Sequence, residues 1–199
     1  MIPVVLQPEP ASFQEAVRVK GLAHLASCGL ALNQPLPAKT TIEPYWRACL
    51  TDLHKAYSGV CAYLGVYFER VMGGGSVDHF IAKSKDAGLA YEWDNYRLAC
   101  ATMNTRKGNY SHVLDPFFLA PDSFRLELST GHIFGNPNLS TGALTLANTT
   151  IARLKLDDSQ CRELRARWFQ AYIENHVSSQ YLQAKSPFVW TEADRQGLL

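Results

Sequence analysis

The chain has 199 residues, of which 47% are hydrophobic and 19% charged, and its formal net charge is +1. That balance excludes a disordered chain, which needs low hydrophobicity and high net charge. It also argues against a protein that grips nucleic acid alone over a long footprint, because such proteins are usually strongly basic.

No run approaches the roughly 20 apolar residues of a spanning helix. The opening MIPVVLQPEP carries no basic leader, and five irregularly spaced cysteines make no secreted disulfide framework. The expectation is a cytoplasmic protein without membrane association. The first forty residues read as extended chain punctuated by proline, with a short helix over residues 19–28 packing through Leu22 and Leu25. His24 on that partly apolar helix is a structural residue. A second helix is predicted over residues 43–57, where Pro44 suits the first turn and Trp46, Leu50, Leu53 and Tyr57 recur on one face. Residues 59–70, rich in Val, Tyr and Phe, predict a strand, or a turn and strand, leading to Gly73, Gly74 and Gly75. Those glycines lack the G-x-x-x-x-G-K pattern of a phosphate loop.

Residues 77–107 read VDHFIAKSKDAGLAYEWDNYRLACATMNTRK and carry most of the chemistry. A strand is expected over residues 77–80 and a helix over about residues 99–107. The Asp78 carboxylate is a ligand for a hard divalent cation, and its neighbour His79 is an imidazole that takes protons from water near neutral pH. Asn104 adds a neutral oxygen, at a place where Asn is a poor helix former. Asp78 with Asn104 makes a sparse site for Mg²⁺ or Mn²⁺ that leaves room for water and phosphate oxygens, as phosphodiester hydrolysis requires. Lys107 lies three residues on, about one helical turn away; with Arg97 and Arg106 it forms a basic cluster able to neutralise phosphate. Lys83 and Lys85 add positive charge after the Asp-His pair. Asn95, read alone, caps a turn, and Trp93 belongs to the core.

Beyond Gly108 a proline-containing loop carries His112, either a further contact to the site or an exposed loop histidine. FRLELS-TG-HIF predicts a hairpin over residues 124–134 that holds His132. The rest is helical. Asp157-Asp158-Ser159 opens a helix over residues 159–177 with Cys161, Leu164, Trp168 and Tyr172 inward. Arg162, Arg165 and Arg167, with Arg153 and Lys155 just before, form a basic group that reads first as a solvated helix face and second as a nucleic-acid or partner surface. Phe188 and Trp190 dock the tail.

The order DH, then DN followed by apolar residues, then N-x-x-K-G, resembles the HNH (ββα-metal) endonuclease motif, in the variant whose last histidine is asparagine. The cleavage domain of RNA-guided DNA nucleases has the same variant. The resemblance implies His79 as general base, Asp78 and Asn104 as metal ligands, Asn95 as the residue that pins the loop and orients the base, and Lys107 as the basic residue of the final helix. CAYLG before the motif, and LDPF, GHIF and TIARLKLDD after it, resemble HNH proteins of Septu-type and retron-associated anti-phage systems, which implies an ATPase partner.

Many HNH proteins carry two C-x-x-C pairs that bind a structural zinc. Here the corresponding stretches begin at Cys61 and Cys100, and Leu64 and Met103 stand where the second cysteines would be. No structural zinc is expected; packing would replace it.

The expected fold is α+β, a mainly helical single domain over residues 1–199 built around a ββα-metal core with a small antiparallel hairpin. Residues 1–58 form an N-terminal helical flank, 59–115 the nuclease core, and 116–199 the hairpin and C-terminal helical flank. The expected function is a Mg²⁺- or Mn²⁺-dependent endonuclease acting on nucleic acid, DNA before RNA. The alternative is a catalytically silent scaffold that binds nucleic acid or a partner subunit.

Overall fold

The computed structural model describes residues 1–72 and 74–199; Gly73, of the glycine run, lies outside the described residues. Among the described residues the fold is α+β, with two antiparallel hairpins of two strands each among the helices. Among the described residues no helix is long and apolar enough to cross a membrane. The chain divides into two compact units, one of Leu6–Gly59 and Glu69–Ser111, the other of Met1–Val5, Val60–Phe68 and His112–Leu199. The expected N-terminal flank and most of the expected core thus share one unit.

In that first unit a π-helical turn, Gln14–Arg18, runs into helix α1, Val19–Ser27. Leu25 is wholly buried. The helix expected over residues 43–57 begins instead as a 3-10 turn, Tyr45–Cys49, and becomes regular only in α2, Leu50–Ala56. Pro44 stays outside the turn with ψ 50°, which is not a helical value. Strand β1, Gly75–His79, pairs with β2, Tyr96–Cys100, in a register that sets Asp78 opposite Arg97 and His79 opposite Tyr96. Val77, Asp78 and His79 are all buried, as are the first four residues of β2. This breaks the polar-apolar alternation of a half-exposed hairpin. The cause is cover: α3, Ala101–Lys107, packs on both strands, and α2 packs on β1. Ala99 and Cys100, expected to open the helix, belong to the strand. The helix stops at Gly108, whose φ of 52° suits glycine.

The second unit holds the other hairpin, β3, Phe124–Glu127, and β4, His132–Gly135, as the alternating pattern predicted. Helices α4, Thr141–Leu154, α5, Ser159–Ile173, α6, Ser179–Lys185, and α7, Pro187–Arg195, follow. The Asp158 side chain caps α5 by accepting from the Cys161 N–H at 2.8 Å. Arg165 is not on a solvated face. It is 2% exposed and donates to the carbonyls of Gly131 (2.8 Å) and Leu156 (2.7 Å), tying the hairpin turn and the end of α4 to α5. Leu164, Trp168 and Tyr172 are only half-buried. The strand expected in residues 59–70 reduces to one antiparallel bridge, Val60 to Tyr67, closed by a tight turn at Gly65 with φ 63°. A Cβ on Gly65 would lie 2.8 Å from that of Phe188, which is buried as expected of the tail.

Candidate active site

A cavity of about 550 Å³ opens beside β1 in the first unit, lined among others by Trp46, Arg47, Asp78, His79, Lys83 and Asn104. Three of the residues singled out in the sequence, Asp78, His79 and Asn104, therefore meet at one opening. Asn95, Arg97, Arg106 and Lys107 are not among its lining residues.

His79 ends β1 and is 8% exposed. Its Nε2 lies 3.0 Å from the Ala90 carbonyl oxygen. A carbonyl can only accept, so Nε2 carries the proton and Nδ1 keeps the lone pair. Among the described residues Nδ1 takes no hydrogen bond. The ring is wedged edge-on between Trp46, with centroids 4.8 Å apart, and Tyr96, 5.1 Å away. Burial, and after it the positive charge of Lys83, pushes the imidazole down to about 4. At neutral pH His79 is uncharged and its lone pair is available as a base.

Lys107 departs from the direct phosphate contact expected of it. It is 0% exposed, and its Nζ donates to the His79 carbonyl at 2.8 Å and sits 3.3 Å from Asp78 Oδ1, itself 2% exposed. A buried ammonium needs such partners, because unpaired burial of a charge costs several kcal/mol. Lys107 thus pins the backbone and carboxylate of the Asp78-His79 pair from behind. Arg97 is likewise turned inward. It is 3% exposed and donates to the Asp94 carbonyl at 2.6 Å and the Tyr96 carbonyl at 3.2 Å. The Phe80 ring lies against both cations, its centre 5.1 Å from the Arg97 guanidinium carbon and 5.3 Å from Lys107 Nζ. Of the expected phosphate cluster only Arg106 keeps partial exposure.

Asn95 does not cap a simple turn. Its Oδ1 accepts from the Ile81 N–H at 2.8 Å, and its Nδ2 donates to the carbonyls of Ile81 (3.0 Å) and Leu89 (2.8 Å). One buried amide therefore clasps both ends of the connection between the strands. The Ala90 carbonyl that holds His79 follows directly on Leu89, so the clasp also fixes the acceptor that sets the histidine tautomer.

Asn104 projects from α3 with its Nδ2 3.5 Å from the Val77 carbonyl, a contact at the long limit of a hydrogen bond. Among the described residues no three or more His, Cys, Asp and Glu side chains gather as a metal cluster. The oxygen donors that line the cavity include the Asp78 carboxylate and the Asn104 and Asn109 amide carbonyls, hard oxygens of the kind that fit Mg²⁺ with water completing its shell. All five cysteines are free thiols; Cys61 belongs to the second unit and Cys100 to the first.

Trp46 and Arg47 are among the lining residues that were not identified from the sequence as parts of a site. Trp46 reads there as a core position and Arg47 carries no signal, since nothing local announces that residues 45–49 will face a strand thirty residues later. Lys83 was visible as local charge four residues past His79. No protein-family model matches the chain, and no curated protein does.

Proposed function

We propose that the chain is a divalent-metal-dependent endonuclease of the HNH type, hydrolysing phosphodiester bonds in DNA in preference to RNA. The observation that carries this reading is the state of His79: neutral, with its proton on Nε2 and an unengaged Nδ1, at a cavity shared with Asp78 and Asn104. The strand-strand-helix order of β1, β2 and α3 supports it, as does the Asn95 clasp.

In this mechanism Nδ1 of His79 accepts a proton from the attacking water, while the Ala90 carbonyl keeps the ring oriented by holding Nε2–H. Asn95 keeps that carbonyl in place. Lys107 secures the His79 backbone and shares the charge of Asp78. Asp78 and Asn104 would hold the divalent cation, which when bound stabilises the added negative charge of the phosphate and the leaving oxygen. Resemblance to anti-phage proteins extends the proposal to a defence effector that works with an ATPase partner.

One observation favours a second reading. Asp78 already sits 3.3 Å from the buried Lys107 ammonium, a charge that competes with a cation for the same carboxylate. A catalytically silent scaffold that binds nucleic acid or a partner subunit fits that pairing. Incubation of the purified protein with plasmid DNA and with total RNA, in Mg²⁺, Mn²⁺ or EDTA, separates the two. Cutting that requires the metal supports the nuclease. Absence of cutting, with an ATPase partner supplied as well, supports the scaffold.

A further inference from the structure

Lys107 and Arg97 are buried, so the phosphate backbone must be met by other cations. Two line the cavity from outside the buried cluster. Lys83, half-buried, places its Nζ 4.8 Å from the centre of the Trp46 ring, and Arg47, exposed, follows Trp46 in the chain. Neither forms an ion pair with a carboxylate among the described residues. Lys107 and Arg18 of the same unit, by contrast, do have carboxylates: Lys107 faces Asp78, and Arg18 is held by Glu9 and Glu92. Partial burial of an ammonium without a carboxylate disfavours its charge, and burial does lower the Lys83 pKa. An anionic ligand entering the cavity would relieve that cost.

Resting on the nuclease reading of the same cavity, we propose that Lys83, assisted by Arg47, is the phosphate-contacting residue of this site, recognising the sugar-phosphate backbone of nucleic acid beside His79. The chemistry argues for backbone and not base. Trp46 already lies against His79, Tyr91 and Lys83, so its ring is occupied by protein. Among the described residues no other Trp, Tyr or Phe lines the cavity. Stacking, which reads or tolerates bases, lacks its platform, whereas a point-charge ammonium suits a phosphate oxygen.

The test is equilibrium binding of a fluorescein-labelled 30-base-pair duplex by the full chain in EDTA, so that no cleavage intervenes, across 50 to 200 mM salt. Lys83→Met keeps the aliphatic stem on Trp46 and removes the charge; Lys83→Arg restores it. The expected result is weaker binding by Lys83→Met with a salt slope shallower by about 0.9, the share of one phosphate contact. Its deficit against the wild type then shrinks about 3.5-fold between the two salt concentrations, and Lys83→Arg recovers most of it. A second duplex of unrelated sequence should give the same numbers.

An unchanged slope in Lys83→Met overturns the proposal, as does a wild type that binds neither duplex, or a deficit that Lys83→Arg does not repair. A structural role on Trp46 alone would lower the melting temperature of Lys83→Met and leave the slope of its folded fraction untouched. A wild type that binds with this slope but cuts nothing in Mg²⁺ fails the nuclease reading and leaves Lys83 as a phosphate contact of the scaffold.

Discussion

Replacing Lys107 with methionine separates a buried keystone from an exposed phosphate clamp. Methionine keeps most of the apolar stem, so the change removes chiefly the ammonium. Two groups lose it: the His79 carbonyl, which accepts at 2.8 Å, and Asp78 Oδ1 at 3.3 Å. Asp78 is 2% exposed, so water cannot readily take over as its counter-charge. Breaking a buried pair by removing one member costs about 3–5 kcal/mol. For a chain of this length each kcal/mol lowers the melting temperature by about 2–4 °C, so a fall of about 6–20 °C is expected. Thermal unfolding followed by circular dichroism would measure that fall, and urea unfolding followed by tryptophan fluorescence the free-energy loss. Adding Asp78→Asn should restore part of the loss, because the stranded charge is gone, and contacting residues couple by about 0.5–3 kcal/mol. An exposed lysine would cost within about 0.5 kcal/mol. A loss below about 1 kcal/mol, with no coupling to Asp78, refutes the buried keystone.

Three further outcomes follow from the same geometry. Asn95→Ala strands the Ile81 N–H and the carbonyls of Ile81 and Leu89. At about 1–3 kcal/mol for a stranded buried group, urea unfolding should show a loss of at least that size, with faster hydrogen exchange at the Ile81 amide. In the second unit Asp157 accepts from Arg162 and Ile133 and contacts His132. Burial raises its carboxyl, but Arg162, the Ile133 N–H and His132 outweigh burial and hold it below its usual value. Its ionised form therefore contributes stability above the unfolded pKa of about 3.9, a contribution lost as pH falls through the lower folded value. The melting-temperature gap between wild type and Asp157→Asn should be widest at pH values above the unfolded pKa of about 3.9 and should narrow as pH falls below it; a gap that does not vary with pH contradicts this. A Cβ on Gly131, at φ 70°, would lie 2.0 Å from the Arg162 carbonyl oxygen. Gly131→Ala should cost more than the roughly 1–2 kcal/mol of a left-handed residue alone, read as a lower urea midpoint, and a neutral effect would contradict it.

What the sequence made legible was local. The β3–β4 hairpin followed from alternation about a Thr-Gly turn, and the Asp158 cap from its place before an apolar-periodic stretch. The strand at residues 77–79 and the meeting of Asp78, His79 and Asn104 followed from motif spacing. What failed depended on neighbours distant in sequence. Residues 60–67 have the Val, Tyr and Phe content of a strand, but the turn at Gly65 leaves them one bridge. Arg165, Arg97 and Lys107 are charged, and any periodicity argument sends charge to the surface. Arg165 and Lys107 are buried because carbonyls, and for Lys107 a carboxylate as well, converge on them from elements far along the chain, whereas Arg97 is buried on β2 and donates to the nearby carbonyls of Asp94 and Tyr96. The contribution of Trp46, Arg47 and Lys83 to the cavity was hidden for the same reason, since it depends on α2 and its leading turn packing on β1.

In the proposed mechanism Nδ1 of His79 is the base of a metal-dependent phosphodiester hydrolysis. This role is tested most directly by comparing wild type and His79→Ala on supercoiled plasmid in Mg²⁺, with EDTA as the control. The expected result is relaxed or linear product from the wild type, abolished by EDTA, with the variant slower by at least the roughly hundredfold that a general base contributes. Equal cutting by both proteins, or cutting that persists in EDTA, would contradict it.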